Sequence, residues 1–234
     1  MTHVIGHQGA PRVAPANTVA AFEAARAIGA DGVELDVRRA AGGDHLAVSH
    51  DDRLADGRAL LDTPVVELPA TMPDLTAALD ACAGLSVVNV EIKNWPADAD
   101  YDAELTIAER VAELLAGRPA PERDRLIVSC FHLATVDRVR EVAPELATAW
   151  LMLGFSSPER DVATAVEHGH RAIHPHHSAV DADVVGLAHA AGLAVNTWTC
   201  DEPDRIRWLA GTGVDGIVTN VPDVALALLG RVAG

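Results

Sequence analysis

Basic residues are scarce: 18 Lys and Arg stand against 34 Asp and Glu, a formal charge of −16. Such a surface repels nucleic acid and anionic membranes over most of its area, so an anionic substrate must find its positive charge locally. Aromatics make up 3% of the 234 residues. The apolar share is carried by Ala, Val and Leu, which suits short helices packed on a parallel sheet. Cys82, Cys130 and Cys200 are widely spaced and lack a CxxC or Cys/His ligand pattern, so they read as reduced, mostly buried thiols. A thiol nucleophile needs an imidazole beside it, and His132 after Cys130 offers the one suggestive pairing. No run of eighteen apolar residues and no basic-plus-apolar leader occurs, so neither a membrane span nor a signal peptide is expected and a cytoplasmic location is the default. GxGxxG is missing after the first strand-like run, which weakens an open dinucleotide-binding sheet.

What is present is organised around Asp31 to His50, DGVELDVRRAAGGDHLAVSH. In a strand, side chains alternate, so Glu34 and Asp36 share one face while Val33, Leu35 and Val37 share the other. Two inward carboxylates side by side must raise one pKa or recruit a cation. About eight residues separate Val37 from Leu46, too few for a parallel crossover of about a dozen, so Arg38 to Asp44 is expected to be a hairpin turn. The returning run HLAVSH then delivers His50 and Asp51. The bland alternative is an exposed edge strand carrying solvated acids.

Along the chain, His3 to His7 reads as a strand, Asn17 as the cap of a helix running to Ile28, and Asp51 to Ala70 as a surface excursion. Ser86 to Lys93 is a strand with Asn89, Glu91 and Lys93 on one face, and a helix over Tyr101 to Leu115 follows. Strand-like and helix-like runs then alternate to the end. Setting aside Leu46 to His50 as a hairpin partner, eight strand–helix units remain. They predict a single (β/α)8 TIM barrel over residues 1–234, with a small β-hairpin and loop insertion after the second strand, at about 38–70. Barrel enzymes work at the C-terminal ends of their strands, where His7, Asp36, Lys93, His174 and Trp198 all fall. The His cluster of IHPHHS is expected to be pocket rim, with His174 inward and the others solvated.

Adjacent strands bring Glu91 beside Glu34 and Asp36, an all-oxygen donor set for a divalent cation, Mg2+ or Ca2+ rather than zinc. Lys93 either meets a substrate anion or neutralises Glu91. His7 and His50 flank the carboxylates as an acid/base pair near neutral pH. Metal, cation and acid/base pair together describe phosphoryl transfer better than acyl transfer or redox chemistry.

The order GHxG, PxNT, VELDV, VxHDD, NVEIK, VNTWT and GVDGIVTNVPD, from His7 to about Asp223, resembles the glycerophosphodiester phosphodiesterases. The resemblance implies metal-dependent hydrolysis of a small glycerophosphodiester to an alcohol and glycerol 3-phosphate. It implies that Glu34, Asp36 and Glu91 hold the metal, that His7 and His50 act as acid and base, that Lys93 meets the phosphate and that Trp198 lines the alcohol pocket. Two positions depart from the family pattern: Gln8 stands where an Arg is usual after the first His, and Ala16 where a Glu is usual. A neutral amide cannot reproduce a bidentate guanidinium fork, so substrate binding at Gln8 is altered; Arg12 in the same loop is either a substitute cation or, on the blander reading, an ordinary solvated loop charge. The competing readings are a degenerate barrel that binds phosphodiesters without cleaving them and an enolase-like metal-dependent barrel.

Overall fold

The computed structural model describes residues 1–231; the last three residues of the expected 1–234 domain lie outside the described residues. In chain order the elements are β1 (His3–Gly6), α1 (Val19–Ile28), β2 (Gly32–Ala40), β3 (His45–Val48), α2 (Leu75–Ala81), β4 (Val87–Ile92), α3 (Thr106–Ala116), α4 (Ala120–Arg123) and β5 (Leu126–Cys130). They continue with α5 (Leu133–Val142), β6 (Ala147–Met152), α6 (Pro158–Glu167), β7 (Ala172–Pro175), α7 (Ala182–Ala190), β8 (Ala194–Thr197), α8 (Pro203–Thr212), β9 (Gly216–Thr219) and α9 (Pro222–Leu228).

Eight strands pair in parallel in the order β1-β9-β8-β7-β6-β5-β4-β2, and the pairing of β1 with β2 closes them into a barrel. The ninth, β3, runs antiparallel to the outer end of β2, with Val37 opposite Val48 and Ala40 opposite His45. The expected hairpin is present, but β2 continues through Arg38 and Arg39 to Ala40, so the turn proper is Ala41–Gly43. Asp51 onward is the surface excursion, pinned to the hairpin by Leu54 and Leu60 against Ala40 and Ala47.

Helix starts follow local chemistry. Ser157 and Asp181 cap α6 and α7 by accepting backbone N–H bonds, Asp74 does so for α2, and Gly29 ends α1 at φ 88. Thr18, and not Asn17, caps α1: its hydroxyl accepts from Ala21 N at 3.2 Å. The helix expected from Tyr101 begins five residues later at Thr106, because Asp102 and Asn94 hold the Tyr101–Leu105 turn against the barrel. Val33, Leu35 and Val37 sit in the apolar layer between sheet and helices with Phe22, Leu75 and Leu79, as the alternation in the sequence requires. The opposite face of β2 is therefore committed to the barrel interior. Below, Arg231 grips Asp31 with two 2.6 Å bonds and Asp31 accepts from Val4 N, tying the end of the described chain to the first strands.

Candidate active site

The register of the parallel pairs fixes the acidic centre. Asp36 lies opposite Glu91 and Glu34 opposite Asn89 across β2 and β4. Glu34, Asp36 and Glu91 are 3%, 1% and 8% exposed, and one oxygen from each lies within 4.8 Å of the others. The edge-strand alternative is thereby excluded.

The three carboxylates are not equivalent. Burial, then the charges of Asp36 and Glu91, push the Glu34 carboxyl well above the usual range. Burial likewise raises Glu91. Burial opposes ionisation of Asp36 too, but Lys93 and the amide of Asn17 overcome it and hold Asp36 below the ordinary carboxylate value. Lys93 Nζ stands 2.5 Å from Glu91 Oε1 and 3.0 Å from Asp36 Oδ1. Of the two roles open to it, neutralisation of the acids is the one its geometry displays. It sits one residue beyond the end of β4, so the expected strand from Ser86 to Lys93 is one residue too long at each end.

Around this centre the β1–α1 loop acts as a harness. Gln8 adopts φ 54, donates its backbone N–H to Glu34 Oε2 at 3.0 Å and its side-chain amide to Asp36 Oδ2 at 2.7 Å. Asn17, at φ 57, donates to the same Asp36 oxygen at 2.8 Å and accepts from Asp36 N at 3.2 Å. Gly9 at φ 91 lets the loop lie on α1, where a Cβ would meet the Ala21 backbone at 2.6 Å. Gln8 thus engages two carboxylates, one through its backbone and one through its side-chain amide, and lines the groove it shares with His7 and His50. Ala16 and Arg12 are exposed.

Among the described residues, Glu34 Oε1 is buried without a hydrogen-bond partner, and Asp36 Oδ1 has the Lys93 ammonium nearby but no aligned hydrogen bond. Three buried carboxylates share one ammonium, and the upward push on Glu34 and Glu91 marks a deficit of positive charge at this centre. An all-oxygen donor set with an orphaned oxygen and that deficit fits a hard divalent cation.

His7, just past β1, has its ring oriented from behind. Asn220, just past β9, donates Nδ2 to Asp201 Oδ2 at 2.8 Å, which leaves its Oδ1 to accept from His7 Nδ1 at 2.8 Å. His7 Nε2 consequently carries the lone pair and faces Glu34 Oε2 at 3.9 Å. Burial outweighs the Asn220 bond and lowers the His7 pKa, favouring the neutral ring. His50 lies beyond β3 and is far more open, its side chain 56% exposed, with Nδ1 2.8 Å from Asp51 Oδ1. Its backbone is held by Arg38, whose Nε donates to the His50 carbonyl at 2.8 Å while its guanidinium pairs with Asp100 and Asp98. His7 and His50 line one groove between the β1–α1 loop and the insertion.

The other half of the rim is aromatic and neutral. Trp198 donates Nε1 to the His174 carbonyl at 2.8 Å and meets Phe131 and His176 edge-on at 5.3 and 5.1 Å. Phe131, Trp95 and Leu153 line a cleft of about 280 Å³ that also reaches His50, Glu91 and Lys93. His174 is inward, as expected, and burial lowers its pKa to about 3. His176 and His177 are half-buried and packed together, with centroids 4.4 Å apart, so they are only partly solvated. Cys130 is excluded as a nucleophile: burial pushes its thiol up to about 12, and His132 Nδ1 is spent on Thr135 Oγ at 3.0 Å.

Sequence reasoning missed Asn17, Asn220, Asp201 and Arg38 as site-building residues. The signal for Asn17 was its place beside Thr18, which left one of the two to cap the helix and the other free to adopt positive φ. Asn220 ends a barrel strand, the position where barrel enzymes keep functional groups.

Glycerophosphodiester phosphodiesterases of Caldanaerobacter subterraneus and Bacillus altitudinis are 27% and 29% identical, with 97% of this chain and 98% of each relative covered. The crystal structure of a glycerophosphodiester phosphodiesterase from Thermotoga maritima superposes with a TM-score of 0.81 at 25% identity, covering 99% of both chains. An Oleispira antarctica phosphodiesterase, solved in complex with its product sn-glycerol-3-phosphate, shares the fold with a TM-score of 0.86 at 23% identity, over 99% of this chain and 98% of that one. The model of the Glycerophosphoryl diester phosphodiesterase family matches residues 7–224, so that this chain belongs to that family.

Proposed function

We propose that the described chain works as one phosphodiesterase domain that hydrolyses small glycerophosphodiesters to an alcohol and glycerol 3-phosphate, using a divalent cation and two histidines. The observation that carries this reading is the trio of buried carboxylates within 4.8 Å, one with an orphaned oxygen, flanked by two imidazoles.

Glu34, Asp36 and Glu91 are the residues that would hold the cation, Mg2+ or Ca2+. When bound, it supplies Lewis-acid polarisation of the phosphoryl oxygens. Gln8 and Asn17 orient Asp36, and Lys93 balances the remaining acid charge while presenting an ammonium toward the cleft. His7 accepts a proton at Nε2 because Asn220 fixes its tautomer and burial keeps it neutral. His50 transfers the second proton at its own Nε2, since Nδ1 is turned to Asp51. The aromatic half of the rim, Phe131 and Trp198 with Trp95, receives the alcohol group. Gln8 places no guanidinium on the phosphate, so the diester is held by fewer positive charges than an arginine in that position would give.

The deciding experiment is turnover of a panel of glycerophosphodiesters with detection of the released alcohol, with and without chelator. Metal-dependent release of alcohol supports the reading. Saturable binding without turnover at any metal concentration would turn it into a binding barrel, and proton exchange beside a carboxylate would make it enolase-like.

A further inference from the structure

The opposite, N-terminal end of the barrel carries a second group of convergent donors. Asp137 on α5, His168 at the end of α6 and His170 before β7 each offer one atom within 4.8 Å of the others. Gly169 between the two histidines stands at φ 76, which turns both imidazoles the same way, 6.2 Å apart and 28° from parallel. His168 Nδ1 is 3.0 Å from both Asp137 oxygens, and His170 Nε2 is 3.3 Å from Oδ1. These separations are close to the edge of a tetrahedron of nitrogen and oxygen ligands about 2 Å from a zinc ion.

The independent mark of a ligand is His170 itself. The residue is 4% exposed, and among the described residues its Nε2 makes no aligned hydrogen bond, with Asp137 Oδ1 3.3 Å away. Its other nitrogen, Nδ1, lies 2.9 Å from Thr148 Oγ, the kind of outer partner that orients a metal-bound imidazole. The groups facing this ring are Asp137, His168, Thr148 and Arg140, whose guanidinium lies against Gly169 and opposes a cation.

We propose that Asp137, His168 and His170 form a transition-metal site for Zn2+ or a similar borderline ion, which clasps the α6–β7 turn to α5 far from the catalytic rim. Two imidazoles and one carboxylate select such an ion, whereas the all-oxygen centre at the other end selects Mg2+ or Ca2+. On binding, His168 Nδ1 gives its proton to solvent and coordinates in its place.

The test is titration of the purified full chain with Co2+, read by visible absorption. The wild type should bind one equivalent with the intense band of tetrahedral cobalt, and Zn2+ should bleach it. His168→Ala changes a half-exposed side chain that can be lost without unfolding; it should abolish the band, while Glu34→Gln should leave it intact. Absence of a tetrahedral band in the wild type, or a band that survives in His168→Ala, would overturn the proposal.

Discussion

The two halves of the catalytic rim are built from opposite materials. Across β1, β2 and β4, three carboxylates, one ammonium and the amides of Gln8 and Asn17 form a continuous polar network in the barrel mouth. Across β5, β7 and β8, Phe131, Trp198 and a neutral His174 line the same mouth with little charge. Both halves are buried, yet burial has different consequences. In the acidic half it is opposed by partners, so Asp36 stays ionised while Glu34, two residues away, is pushed toward the protonated form. In the aromatic half, desolvation is the sole cause of the His174 shift. The difference teaches that the acidic half is poised for a missing charge and the aromatic half is complete.

The largest effect that sharpens this comparison is expected at the imidazoles serving the acidic half. His7→Ala and His50→Ala should each lower kcat by about a hundredfold or more, the usual worth of a positioned acid or base. Steady-state kinetics with folding checked by circular dichroism measure it, and full rate in His50→Ala would remove the end of the hairpin from the site.

Next in size is Asn17→Ala, expected to weaken metal affinity by about ten- to a hundredfold, because outer partners of ligating carboxylates are worth that much. Metal titration monitored by activity and by calorimetry reads it. An affinity equal to wild type would mean that Asp36 is held well enough by Gln8 and Lys93 alone.

Much of the polar half was legible in the sequence because period-two alternation in VELDV and NVEIK assigns faces unambiguously once the opposite faces are apolar. His50 was legible because the hairpin is too short for a crossover. Asn17 and Asn220 were not: an Asn before a helix or after a strand has ordinary local uses, and only the closed barrel brings residue 220 beside residue 7. The hold of Gln8 on the acids was not legible either: its positive φ turns the amide onto Asp36, and no local pattern announces that conformation.

The aromatic half gives a smaller, pH-dependent effect. His174 stays neutral in the fold down to about 3, and its Nε2 accepts from Asn196 at 2.9 Å. The unfolded chain protonates it near 6.5, so it binds more protons than the native state between the two values and stability falls as pH drops through that window. The contribution is fully retained above about 6.5 and reduced by about 2 kcal/mol at about pH 5. Urea denaturation of wild type and His174→Gln should therefore show a stability difference that shrinks as the pH is lowered from about 7 to about 5. A pH-independent difference would mean that His174 titrates alike in the folded and unfolded chain, contrary to its burial.

Smallest is the expected effect of restoring the family pattern as Gln8→Arg with Ala16→Glu. The exposed position of Ala16 and the existing bonds of Gln8 to the acids predict a several-fold change in KM for the pair and less for either alone. Kinetics of the four combinations decide it; strictly additive values would mean that the two positions do not communicate.

The central claim is that Glu34, Asp36 and Glu91 form a divalent-cation centre. Calorimetric titration of Mg2+ and Ca2+ into the wild type, Glu34→Gln, Asp36→Asn and Glu91→Gln tests it most directly. The account predicts one ion bound at this centre in the wild type and a marked loss of affinity in every variant, with the barrel still folded by circular dichroism. Wild-type affinity in all three variants would contradict it.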